Sequence, residues 1–125
     1  MKTAEFSQSA LEELRGRIQS TDALEAFDRL VQFGVDSPSL GCAPGGSGKN
    51  RDFRYTSVDP RAWPFAFTAT RAHLLFHVRP AGVRTLHLTR TQLARRIEVV
   101  RRRTDAALQI LVRNRAEADV VIDQL

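Results

Sequence analysis

The stretch from Phe53 to Leu88, FRYTSVDPRAWPFAFTATRAHLLFHVRPAGVRTLHL, sets the terms on which this chain can fold. It holds the single Trp, the single Tyr, four of the seven Phe and all three His. Each large aromatic buries roughly 150–250 Å², so the core must be built largely from this segment. Its residues alternate with a period of two, the signature of half-buried strands. Phe53 and Tyr55 alternate with Arg54 and Thr56; Phe65, Phe67 and Ala69 share one face of a second run; Leu74, Phe76 and Val78 share one face of a third. Val58 to Arg61, Thr70 to Ala72 and Arg79 to Gly82 read as the turns between and after them. Leu75 makes the run from His73 to Val78 apolar on both faces, which predicts a central strand. Val83 to Leu88 reads as the returning arm of a hairpin. Phe65, Phe67, Leu74, Phe76 and Leu86 are the predicted core residues of the segment.

Helical periodicity brackets this sheet. Phe6, Ala10, Leu11, Leu14 and Ile18 recur at spacings of three and four, with Ser7 or Ser9 as cap. Ser20-Thr21-Asp22 marks a break and a new start, with Asp22 and Glu25 spaced as a capping box. Leu24, Phe27, Leu30, Val31 and Phe33 form the second stripe, and Gly34 is the expected stop. Thr89 to Arg96 predicts one or two helical turns. Ile97 to Val100 and Ala107 to Arg113 read as strands, Arg101 to Asp105 as a charged turn, and Asn114 as the cap of a last helix. The expected fold is one α+β domain over residues 1–125: N-terminal helices, a mostly antiparallel sheet of four to six strands, and a C-terminal helix packed on one face.

Residues 36–50, DSPSLGCAPGGSGKN, read as a flexible Gly/Ser/Pro loop. Ala43, Gly48 and Lys49 fall in register with the phosphate-binding P-loop, but the pattern breaks at Asn50, where Ser or Thr must hold Mg²⁺. That loop also needs a buried strand before it and a helix after it. Here a helix precedes and the strand pattern RDFRYTSVDP comes next, so no nucleotide site is expected.

A hydrophobic content of 42% with 26% charged residues is that of a globular protein rather than a membrane one. No apolar run approaches the ~20 residues of a membrane span. Acids stand where a signal peptide would be apolar, so the expected compartment is the cytoplasm. Chemistry is thinly represented. His73 and His77 share a strand face, but four residues of strand separate them by about 13 Å, too far to share a metal. His87 could approach across the hairpin, yet no carboxylate completes a set. The lone Cys42 has no adjacent His, and no Ser occupies a nucleophile elbow. The reading is therefore a non-enzymatic protein with no cofactor and no metal.

Charge is the informative feature. Residues 1–50 carry five Lys/Arg against seven Asp/Glu, whereas residues 51–125 carry fourteen Arg against seven Asp/Glu. Arg95, Arg96, Arg101, Arg102 and Arg103 fall within nine positions, a candidate nucleic-acid-binding cluster. Two bland readings compete. Seventeen of nineteen basic residues are Arg, as a GC-rich coding sequence dictates, and the cluster could be neutralised by Asp105, Glu117 and Asp119. A recognition helix in TRTQLARR lacks the second helix that such a motif requires. RNA recognition on a sheet would need exposed aromatics, for which Phe65 and Phe67 are candidates. The leading expectation is a binding module whose Arg-rich C-terminal half contacts a polyanion, most naturally nucleic acid. The alternative is a small adaptor or inhibitor that binds a protein through a sheet edge or the Trp63 region. The sequence leaves the oligomeric state open, a homodimer included.

Overall fold

The aromatic segment does lie at the heart of a sheet. The computed structural model describes residues 8–56, 63–100 and 107–125. Six strands, β1 (Gly41–Gly45), β2 (Asp52–Thr56), β3 (Phe65–Ala69), β4 (Leu74–Val78), β5 (Glu98–Val100) and β6 (Leu108–Val112), pair antiparallel in the order β1-β2-β3-β4-β6-β5. The described residues also form the helices α1 (Gln8–Arg15), α2 (Thr21–Asp36), α3 (Pro80–Val83), α4 (Arg90–Ala94) and α5 (Arg115–Ile122). This is the α+β arrangement expected, with β4 central between β3 and β6.

Register turns the alternation of single strands into rows across the sheet. Pro44, Phe53, Phe67, Phe76, Ile110 and Val99 form one row on the core face. Cys42, Tyr55, Phe65, Val78 and Leu108 form the next. Phe27 of α2 drops onto Phe67 edge-on, with ring centres 5.6 Å apart. Tyr55 is fully buried and donates its hydroxyl to the Leu30 carbonyl at 2.7 Å, tying sheet to helix. Ala118 and Val121 of α5 join the same cluster, and Arg29 on α2 holds Asp119 on α5 at 3.0 Å. Phe65, Phe67, Leu74 and Phe76 are core residues, and Leu86 is partly buried against them.

Four local readings change. Ser20, rather than Asp22, caps α2, its side chain accepting from Ala23 N. Gly34 does not stop that helix. It is buried within the helix's last turn, where a Cβ would lie 2.9 Å from Tyr55 Cε1. Val83 to Leu88 is not a strand: Pro80 starts α3, and the chain then crosses β6 to reach β5 at the sheet's edge. That crossover stays on the core side, with Leu93 and Ile97 buried in the cluster. Within residues 36–50, Gly41–Gly45 is the edge strand β1, where Pro44 is tolerated. Gly46 at φ +66° then opens the turn into β2.

The resemblance to a P-loop ends there. A strand does precede the glycines, but it is an edge strand, and it leads into a single 3-10 turn, Gly48–Asn50, and then β2. The turn is held through its carbonyls: Arg51 donates to Gly46 O at 2.7 Å, and Arg17 donates to Gly48 O.

Candidate functional site

The helices occupy one face of the sheet. Residues that point to the other face form a row of Ala43, Arg54, Ala66, His77, Gln109 and Val100, one from each strand. Thr68, Leu75, Leu111 and Glu98 form the adjoining row. Among the described residues no helix packs on this face, and most of these side chains are half-exposed. Phe65 and Phe67 are absent from it. Their parity places them in the core at 4% and 0% exposure, so they offer no stacking surface.

A polar track runs down the middle of the open face. Asp52, 9% exposed, accepts from Arg54 Nε at 2.9 Å. Gln109 Nε2 lies 3.3 Å from His77 Nδ1, and His77 Nε2 lies 3.5 Å from Thr68 Oγ1. Trp63, two residues ahead of β3, lies against this track. Arg54 reaches it from β2 and Arg79 from the end of β4, each guanidinium carbon 4.2 Å from the ring centre. Both are within cation–π range, about 6 Å. Arg54 has the room to do this because β1 presents Gly45 beside it. A Cβ there would lie 2.6 Å from the guanidinium carbon. Between Trp63 and His77 the surface opens into a cleft of about 420 Å³, with Asp52, Ala66, Thr68 and Arg79 in its lining.

The sequence-predicted arginines divide. Arg95 ends α4 and Arg96 comes directly after it, both exposed. Arg101, Arg102 and Arg103 lie outside the described residues. Sequence reasoning missed their neighbours Arg79 and Arg84 on the same crossover. The signal was present: residues 60–97 contain seven Arg and no Asp or Glu. Among the described residues, Arg84, Arg95 and Arg96 make no ion pair. Of the carboxylates expected to neutralise the cluster, Asp105 lies outside the described residues, and the other two are engaged elsewhere. Asp119 holds Arg29, Glu117 accepts from the Arg113 backbone N–H at 2.8 Å, and Glu98 holds the Arg113 guanidinium at 2.7 Å.

Other chemistry is sparse. Among the described residues no group of three or more His, Cys, Asp or Glu is placed to hold a metal ion, and no helix is long and apolar enough to cross a membrane. Burial pushes the Cys42 thiol up to about 11, so it stays protonated at neutral pH and is a poor nucleophile. Compared with known proteins, the chain matches no family model, no curated sequence and no solved structure.

Proposed function

We propose that this chain is a non-enzymatic binding module that engages a polyanion, with nucleic acid as the partner, through the arginines of the crossover between β4 and β5. One observation carries the reading. Arg84, Arg95 and Arg96 are exposed on a segment without carboxylates, and Glu98, Glu117 and Asp119 are bonded to other groups. Like charges left in that state repel one another, and a chain of phosphates relieves the repulsion while releasing condensed counterions. Arg101, Arg102 and Arg103 extend the same run in sequence. Guanidinium is suited to the task, since its fork donates two parallel hydrogen bonds to phosphate oxygens.

The test is a salt titration of binding to fluorescent oligonucleotides. Each phosphate contact contributes about 0.7 to the slope of log affinity against log salt on a single strand, and about 0.9 on duplex DNA. Changing Arg84, Arg95 and Arg96 together to Ala should flatten the slope by about 2–3 and lower affinity for every base sequence alike. The melting temperature should hold, because exposed unpaired charges contribute little to folding. Absence of binding to DNA or RNA at low salt would rule the proposal out.

A further inference from the structure

The cleft beside Trp63 has an occupant that its chemistry selects. Resting on the polyanion reading, we infer that the partner is single-stranded, and that the cleft takes one of its unpaired bases. Arg79 belongs to both features. It lines the cleft, and it stands where the chain leaves β4 for the crossover that carries Arg84, Arg90, Arg95 and Arg96. The crossover lies on the core side of the sheet and the cleft on the open side, so a strand tracking those arginines reaches the cleft by passing the end of β4, where Arg79 stands. The volume, about 420 Å³, falls within the range of about 300–1,000 Å³ in which proteins hold small flat ligands. Trp63 is half-exposed in its wall, and since the Arg54 and Arg79 guanidinium groups each lie over its ring, the stacking surface offered to a base is the outer guanidinium plane backed by the indole. Bases stack on indole and on guanidinium faces alike, and a stacked Arg keeps its edge N–H groups for the adjoining phosphate.

The floor supplies the polar edge contacts that a base needs. Asp52 Oδ1 takes Arg54, and among the described residues Oδ2 accepts no hydrogen bond, so it can receive an exocyclic amino group. Thr68 adds a hydroxyl that donates or accepts. Ala66, the smallest side chain of its row apart from Ala43, keeps the floor low. A paired base cannot enter, because its edge is covered by its partner and its faces by its neighbours in the stack.

Trp63 is the only tryptophan, so its emission reports on the cleft directly. The full chain is titrated with a single-stranded DNA of about 12 nucleotides, the same strand annealed to its complement, a mononucleotide, and heparin as a polyanion without bases. The single strand should quench Trp63 and bind more tightly than the duplex, whereas heparin should bind without quenching. Trp63→Leu should weaken single-strand binding about tenfold and leave heparin binding unchanged. Trp63→Phe should recover part of the loss. Thr68→Leu, which narrows the cleft without touching the Trp63 wall, should lower the preference for single strand over duplex in a chain that retains Trp63.

Equal affinity for single strand, duplex and heparin, with Trp63 emission unchanged, would overturn the base assignment and leave the polyanion reading standing. A mononucleotide that binds as tightly as the oligonucleotide would show the occupant to be a free nucleotide and overturn the assignment of a strand. Failure of every polyanion to bind overturns both.

Discussion

Gly34 separates two readings of the same residue, and its replacement by Ala tests the packing of α2 on the sheet. A glycine that ended the helix would sit at positive φ, where a methyl group is strained whatever its neighbours, but Gly34 is not among the glycines at positive φ. Within the helix, Ala is favoured over Gly by about 1 kcal/mol, so propensity alone predicts a gain. The structure predicts a loss. The new Cβ would lie 2.9 Å from Tyr55 Cε1, 3.0 Å from Cys42 Sγ and 3.1 Å from Cys42 Cβ. Tyr55 cannot give way easily, being fully buried with its hydroxyl held at 2.7 Å by Leu30 O. Overpacking of a filled core costs about 1–3 kcal/mol, and with three tight contacts the upper half of that range applies. The net expectation is a loss of about 1–2 kcal/mol, a melting temperature lower by about 4–8 °C for a chain of this size. Thermal denaturation monitored by circular dichroism measures it. Adding Cys42→Ala should restore part of the loss, since it removes Sγ but leaves the Tyr55 contact. A Gly34→Ala chain that melts at or above the parent temperature would refute the close-packing argument.

Phe76→Ala should cost about 3–5 kcal/mol, because the side chain is fully buried between the Tyr55 and Phe65 rings at centroid distances of 6.0 and 6.2 Å; a loss below about 1 kcal/mol in urea denaturation would contradict its central place. Alkali should destabilise the fold through Cys42 and Tyr55, both of whose protons the folded state holds more tightly than the unfolded chain does. Stability from Cys42 is present below its ordinary value of 9.0 and fades as pH rises toward about 11. Cys42→Ala should flatten melting temperature against pH across that interval, and a slope identical to that of the parent would show the thiol to be uninvolved.

Features that depend on near neighbours could be read along the chain. Alternation in Phe53–Tyr55, Phe65–Ala69 and Leu74–Val78 reports which face is buried, and the structure buries that face. Caps are equally local: Thr89 and Gln92 close a capping box over three residues, and Asn114 accepts from Glu117 N. Readings failed where a distant partner decides the outcome. Gly41–Gly45 has the composition of a loop, and it is a strand because β2 supplies its hydrogen bonds. Val83 to Leu88 alternates like a strand, yet β6, from much further along the chain, occupies the place beside β4 that a hairpin arm would need. Gly34 looked like a stop because nothing nearby shows that Tyr55 and Cys42 come to rest against it.

The same reasoning explains why the arginines were half legible and the cleft was not. A run without acids can be counted, although its meaning depends on whether acids elsewhere fold back over it. Asp119 and Glu117 were plausible partners until Arg29 and the Arg113 backbone claimed them, and Arg29 is ninety positions away from Asp119. The cleft needs more still. Arg54 comes from β2, Trp63 from just ahead of β3 and Arg79 from just past β4, and they meet because Arg54 pairs with Ala66 while the Arg79 N–H binds Pro64 O at 2.9 Å. A slip of one residue in either pairing would send Arg54 or His77 to the core face and leave Trp63 without its stacked cations. The site is thus a property of register, and register is set by the buried aromatics on the opposite face. Phe53, Phe67 and Phe76 hold the strands in the one alignment that brings a tryptophan, two guanidinium groups and a carboxylate to the same open surface.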